Sequence, residues 1–446
     1  MFASHETRLT LDTVDNDLPG QRLATQIRCM DCGAGAAPDR PVSECLECSG
    51  LLDIELTLPG RIEPGQFSAP TPDEVMGSGV WRYTSLLPEL PVESIVSRAE
   101  GHTPIYWDER LAHYAGLQRL GLKHEGQNPT GSFKDRGMTV GVSHAKSVGA
   151  TIVACASTGN TSASLASYAA AGRMTSLVLI PAGEIAGGKL AQTVAHGARI
   201  VQVEGDFDTA LSLLRALTRE YPVYLVNSVN PFRIEGQKTI IFEMMEQLNW
   251  QAPDFVALPG GNLGNTAAFG KALTELFAVG LLPSIPRLVT VQAAGAAPFA
   301  DYFENGFDHY QPLKAETVAS AIKIGAPASI ERARRSIQST NGVVTRVSDH
   351  DILEAKAQID RAGIGCEPAS AATLAGVRKL VLDGVIAPDA RVVGVLTGHV
   401  LKDTEAVVNY HLGSEEEGER PLANRPITIT ADMDALQRTL ADALHG

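Results

Sequence analysis

The 446-residue chain is too long for one ordinary core and reads as two main domains with small appendages. Hydrophobic residues make up 44% and charged residues 20%, the balance of a soluble globular protein and far from that of a disordered one. A formal net charge of -14 argues against a general nucleic-acid partner or an anionic membrane surface, while allowing a local basic pocket for a small anion.

The opening stretch MFASHETRLTLDTVDNDLPG carries several acids and no apolar run, so it fits neither a secretory signal nor an Arg-rich transit peptide. No later stretch approaches the roughly 18 apolar residues that a membrane span needs. Six cysteines are too few for a disulfide scaffold, and a cytoplasmic location is expected. Four of them form Cys29-x-x-Cys32, a twelve-residue spacer and Cys45-x-x-Cys48. Each CxxC can turn two thiolates toward one point, so the pair predicts the closed tetrahedral shell of a structural zinc, although the spacer is slightly short for a ribbon. Structural cysteines without metal are the alternative. Redox chemistry would need only one CxxC, and the acidic balance disfavours a nucleic-acid-binding ribbon.

From about residue 80 the chain alternates short β-branched runs with longer Ala- and Leu-rich segments, and it shows no internal repeat. TIVACAS, SLVLIPAG, RIVQVEG, VYLVNS, DFVALPGG, RLVTVQAAG and RVVGVLTG read as buried strands, most followed by helix-like stretches such as 233–248. This is the βαβ rhythm of parallel sheets covered on both faces, where ligands collect beyond the carboxyl ends of the strands.

The turns of that region carry the chemistry. In NPTGSFKDRG, residues 128–137, Lys134 stands where a helix begins. The positive end of a helix dipole and partial burial beside Phe133 both disfavour an ammonium there, leaving an amine suited to Schiff-base chemistry. Alone, FKDR would be a solvated lysine. STGNTSAS places Ser157, Thr158, Asn160 and Thr161 at another helix start, more polar groups than N-capping requires. LPGGNLGN, residues 258–265, follows a strand and opens a helix, so its glycines let backbone N–H groups approach a phosphate. Plain turn chemistry is an equal reading of that loop, and it lacks both the dinucleotide and the Walker spacing. VLTGHVLKD offers the Thr397 hydroxyl at a strand end. An amine, an anion cradle and a ring contact are what a pyridoxal-phosphate-type cofactor needs.

In order, NPTGSFKDRGMT, ASTGNTSAS, VNSVNPFRIEGQKT, PGGNLGN, CEPASAA and TGHVLKD resemble the threonine synthases, pyridoxal-phosphate enzymes of fold type II in the tryptophan-synthase-β-like group, from about residue 95 to 405. The lysine motif alone marks only the cofactor group, whereas NSVNPFRIEGQKT is particular to threonine synthases and their near relatives. The resemblance implies an α/β fold of two domains with mainly parallel sheets covered by helices, plus a small N-terminal zinc-ribbon-like module built on the four cysteines. The expected divisions are an extension over 1–20, the module over 21–60, a larger cofactor-binding domain from 61–134 and 224–412, a smaller domain over 135–223, and an acidic linker with a tail helix over 413–446.

It also implies the roles. Lys134 holds the cofactor as a Schiff base and then shuttles protons. Asn160 bonds the ring hydroxyl, the backbone of Gly261, Asn262, Leu263, Gly264 and Asn265 binds the cofactor phosphate, and Thr397 faces the pyridine nitrogen. The implied reaction converts O-phospho-L-homoserine and water to L-threonine and inorganic phosphate. Arg233 would grip the leaving phosphate with Asn227, Ser228 and Thr158, Ser157 and Thr161 would take the α-carboxylate, and Arg136 would add positive potential. Val400 and Thr404 stand where family members often have Gly and Pro, which leaves open the shape of the pocket beside Thr397. A cysteate-synthase-like paralogue, a serine/threonine dehydratase and a noncatalytic ligand sensor are the alternatives. The expected partners are a small-molecule substrate and a second copy in a homodimer, with no nucleic acid and no membrane. Cys155 and Cys366 read as small buried hydrophobes, EEEGE over 415–419 as a solvated linker, and DMDALQRTLADAL as an amphipathic tail helix.

Overall fold

The computed structural model describes residues 25–41, 43–67, 75–183, 187–413 and 420–445. The expected N-terminal extension and the EEEGE linker therefore lie outside the described residues; the tail helix is present as Met433–His445.

Three sheets organise the described residues. The first is small and antiparallel, with β1 (Thr25–Cys29) between β2 (Gly35–Ala36) and β3 (Leu52–Leu56). The second has six strands, β4 (Ile105–Trp107), β5 (Leu120–His124), β10 (Phe255–Pro259), β11 (Arg287–Ala293), β12 (Val343–Val347) and β13 (Val392–Leu396), in the order β12-β11-β10-β13-β5-β4. The third has four parallel strands, β6 (Ile152–Ala156), β7 (Thr175–Pro181), β8 (Arg199–Val203) and β9 (Val223–Leu225), in the order β8-β7-β6-β9. Only β4 runs antiparallel to its neighbour in the six-stranded sheet. The expected division between residues 223 and 224 falls inside β9.

Side-chain alternation splits the six-stranded sheet between two cores. Val256 and Leu258 of β10 face a cluster with Ile241, Phe269 and Ile337, while Phe255 and Ala257 face one with Leu111, Ile352 and Leu374. Helices thus cover both faces, as continuous apolar runs such as VVGVL predict. Three strands of this sheet, β4, β5 and β12, escaped the sequence reading. In β5, LGLKH, the buried Lys123 and His124 disguise a strand that pairs with β13 throughout.

Two helices set the site. Pro231–Gln247 begins with Pro at its first turn, and the Asn230 side chain accepts from the Phe232 N–H at 3.0 Å, which is why NPFR starts a helix. It crosses Lys134–Ser147 at close range. A Cβ on Gly137 would lie 2.8 Å from the Arg233 carbonyl oxygen, and one on Gly236 would lie 1.9 Å from that of Arg136, so only glycine permits this crossing.

Candidate active site

Lys134 is the first residue of its helix, with Nζ 4.0 Å from the centroid of the Phe133 ring. Its pKa is lowered to about 7, first by burial and next by the charge of Arg233, with Glu367 pulling the other way. The lysine loop is fixed from beneath: Asp135 accepts from the Thr130 N–H at 2.7 Å, the Thr130 hydroxyl at 2.6 Å and the Ser164 hydroxyl at 2.6 Å. The Phe133 N–H donates to the Thr397 carbonyl at 3.0 Å, which ties this loop to the end of β13.

Arg233 is buried across the glycine crossing, where a Cβ on Gly141 would touch its Cγ at 3.2 Å. Its Nη1 donates to the Val226 carbonyl at 3.1 Å, its Nε has no partner among the described residues, and burial lowers its pKa to about 10. A buried cation with an unused donor near a half-buried amine is suited to an anion.

After β10 the chain turns at Leu263, with φ of 62°, into helix Gly264–Ala278. Among the described residues none accepts from the backbone N–H groups of Gly261, Asn262, Leu263, Gly264 or Asn265. The loop is held from outside, since Asn262 accepts from the N–H groups of Ala328 and Ser329, both at 3.2 Å. The buried Asn265 Oδ1 and Gln237 Oε1 also lack partners, and a Cβ on Gly264 would lie 3.4 Å from that Gln237 oxygen. Unsatisfied donors at a helix N-terminus form a phosphate cradle.

The remaining predicted residues fall around these. Asn160 opens helix Asn160–Ala171, and its Nδ2 donates to both Glu367 carboxylate oxygens at 3.1 and 3.0 Å. The Thr397 hydroxyl lies 3.0 Å from the Ser370 hydroxyl, and both are buried. Ser157 accepts from the Gly159 N–H at 3.2 Å, and Thr158 and Thr161 are half-buried in the same turn. Asn227 is committed to the end of β6, exchanging two 3.0 Å bonds with the Ala156 backbone, and Ser228 follows it in a half-buried turn.

Arg136 corrects the sequence reading. Its guanidinium is buried away from the site, bonding Glu125 at 2.7 and 2.8 Å and Glu243 at 2.8 Å. Two residues turn a helix by about 200°, so Arg136 points opposite to Lys134. With Lys123, 2.5 Å from Glu243, it forms a closed ionic cluster in the core.

These groups fit one cofactor, with an amine near neutrality, a run of free N–H groups suited to a phosphate, and polar side chains, Asn160 and Thr397, of the kind that a ring would need. Residues 96–398 match the family model described as pyridoxal-phosphate dependent enzyme. A threonine synthase of Methanocaldococcus jannaschii is 43% identical over 417 residues, covering 93% of this chain and 99% of its own. The chain belongs to the threonine synthase family of pyridoxal-phosphate dependent enzymes. A threonine synthase of Mycobacterium tuberculosis is 48% identical over 315 residues, with 70% of this chain and 85% of that one covered. The crystal structure of the Escherichia coli threonine synthase, at 18% identity, shares the fold with a TM-score of 0.65 over 94% of this chain and all of that one.

Within this threonine synthase family member, two residues of the CEPASAA motif went unassigned in the sequence: Glu367, against Asn160, and Ser370, against Thr397. The motif itself was the available signal. The departures from the family pattern are absorbed locally. Val400 lies against Gly365, whose φ of 71° and missing side chain leave it room, a Cβ there being 3.3 Å from Val400. Thr404 opens helix Thr404–Leu412, a position where Pro is equally at home, under an Asp403 cap.

At the N-terminal module, the sulfurs of Cys29, Cys32, Cys45 and Cys48 all lie within 4.8 Å of one another. The Cys29–Cys48 and Cys32–Cys48 separations are 3.4 Å and Cys32–Cys45 is 3.6 Å. Those are too long for disulfides and near the roughly 3.8 Å edge of a tetrahedron with metal–sulfur bonds of about 2.3 Å. The Asp31 N–H points at Cys29 Sγ from 3.4 Å, as it would toward a thiolate. Cys155 and Cys366 are buried with thiol pKa values pushed up by burial, so neither is a nucleophile. No helix among the described residues is long and apolar enough to cross a membrane.

Proposed function

We propose that the chain converts O-phospho-L-homoserine and water to L-threonine and inorganic phosphate. The observation that carries this reading is a half-buried lysine, its pKa lowered by a buried arginine across a glycine crossing, next to a second, separate cradle of free N–H groups. One anion site suits a resident phosphate and the other a departing one.

Bound pyridoxal phosphate supplies an aldehyde for the lysine and a ring that draws electrons from the substrate. Lys134 gains and loses a proton readily near pH 7, so its Nζ can take the α-proton, take a β-proton once the first is released, and return protons to Cγ and Cα after the phosphate has left. Arg233 holds the phosphate as it leaves from Cγ, and water adds at Cβ. Ser157 and Thr161 orient the carboxylate, with Thr158 and Ser228 beside the phosphate. The Asn227 amide supports that turn from β6 and keeps one Nδ2 hydrogen for substrate. Glu367 fixes the Asn160 amide so that an N–H faces the ring oxygen, and Ser370 does the same for the Thr397 hydroxyl.

The same reading assigns zinc to the four cysteines, a smaller lobe to the four-stranded sheet and a larger one to the six-stranded sheet, and a homodimer in the cytoplasm. Metal analysis should find one zinc per chain, and none after Cys29→Ser with Cys45→Ser. For the activity, both products are quantified from O-phospho-L-homoserine. Equal amounts of threonine and phosphate are expected, with Lys134→Ala losing turnover and the yellow Schiff-base absorbance together. Ammonia and a keto acid in their place would make the chain a dehydratase.

A further inference from the structure

We infer that the four-cysteine module is a positioning element for the substrate-phosphate side of the site, acting through the segment 229–235 that carries Arg233; the inference rests on the role proposed for Arg233. Three independent links join the module to that segment.

The first is apolar. Phe232, next to Arg233, is buried in the same cluster as Ile27, Cys29, Cys45, Leu52 and Ile54, so the module's own core includes a residue of the catalytic helix. His144 stacks on the Phe232 ring, with centroids 3.5 Å apart and planes 14° from parallel. Its Nε2 lies 2.7 Å from the Pro38 carbonyl of the module and its Nδ1 2.6 Å from the Tyr224 hydroxyl. A carbonyl can only accept, so Nε2 carries the proton and Nδ1 accepts from Tyr224.

The second is a bridge between carbonyls. Arg332 Nη2 donates to Leu52 of β3 and, at 3.4 Å, to Val229. This arginine is buried, and its Nε and Nη1 have no partner among the described residues. The third is ionic. Lys271 bonds the Ile54 carbonyl, lies 3.6 Å from Asp53, and meets Glu235 at 2.5 Å. Asp53 is also paired with Arg335.

Helical geometry turns these links into leverage. Phe232 and Glu235 are three residues apart and share the face turned to the module, while Arg233 is rotated about 100° toward helix Lys134–Ser147. The module therefore presses on the outside of the first helical turn, and the guanidinium stands on its inner side. Lys134 shares its helix with His144 but stands nearly three turns away from it, and its loop, Asn160 and Thr397 are held through Asp135, Glu367 and Ser370. Loosening the module should move Arg233 and spare the cofactor.

The test uses the full-length, cofactor-loaded chain in three variants: Cys48→Ser, which opens the module; Arg332→Met, which cuts the carbonyl bridge with the cysteines intact; and Arg233→Ala as reference. The readouts are the dissociation constant of inorganic phosphate, KM and kcat separately, and cofactor absorbance. Cys48→Ser and Arg332→Met are expected to weaken phosphate and raise KM roughly tenfold, the scale of one charge-assisted hydrogen bond, with absorbance retained and kcat much less affected. Unchanged phosphate affinity in both, while Arg233→Ala weakens it, overturns the positioning role alone. Unchanged affinity in Arg233→Ala overturns the reading of Arg233 itself. Loss of cofactor in step with phosphate marks the module as a general scaffold and also overturns the proposal. Should Cys48→Ser fail to fold, Arg332→Met decides.

Discussion

The closest approach in the site offers a graded test. On Gly236 an added Cβ would stand 1.9 Å from the Arg136 carbonyl oxygen, and on Gly137 it would stand 2.8 Å from the Arg233 carbonyl oxygen. Ordinary contact begins at 3.4 Å, so the two helices must part by about 1.5 Å for Gly236→Ala and about 0.6 Å for Gly137→Ala. Both shifts separate Lys134 from Arg233. Misplacement by about 1 Å costs on the order of 10²-fold in rate, so kcat/KM should fall by at least 10²-fold for Gly236→Ala and roughly tenfold for Gly137→Ala. Overpacking should also cost about 1–3 kcal/mol of stability, more for the larger shift. Gly60→Ala, where an added Cβ meets nothing within 4 Å, is the control and should change neither. Steady-state kinetics and thermal melts on the cofactor-loaded proteins measure both effects. Wild-type kcat/KM and melting temperature in Gly236→Ala would refute the claim that this crossing sets the distance between amine and guanidinium.

In the cofactor-free protein, Lys134 should react with an acylating reagent with a midpoint near pH 7, protonated and inert below it, free and reactive above. Arg233→Gln removes a cation that disfavours the ammonium, so the midpoint must rise; a fixed or lower midpoint contradicts the pairing. Arg136→Met strips Glu125 and Glu243 of their shared partner inside the core and should cost about 3–5 kcal/mol in denaturant unfolding, a loss that a surface-facing arginine would not show.

The parts of the fold visible in the sequence were those whose reasons are local. VVGVL declares a strand buried on both faces, and NPFR starts a helix with its own cap. LGLKH concealed a strand because Lys123 is neutralised by Glu243, which lies 120 residues further on. The site was legible as a set of turns, each polar beyond what capping requires. The sequence does not show which way Arg136 points, and two steps along the helix from Lys134 turn it to Glu125 and Glu243. Glu367 and Ser370 act on Asn160 and Thr397 and on nothing nearby in sequence, so no local pattern announces their roles.

The position of β13 has a consequence for how the molecule is made. It is the last of the described strands to leave the ribosome, yet it lies at the centre of its sheet, with β10 on one side and β5 on the other. Until residue 396 is synthesised, the sheet exists as two halves with raw hydrogen-bonding edges facing each other. β5 waits through some 270 residues of translation for its parallel neighbour, on the order of 15–50 s at about 5–20 residues per second. A nascent chain in that condition needs protection from pairing with another like it. A premature stop shortly before β13 would therefore leave a sheet split down its middle, without Thr397 or the carbonyl that ties down the lysine loop.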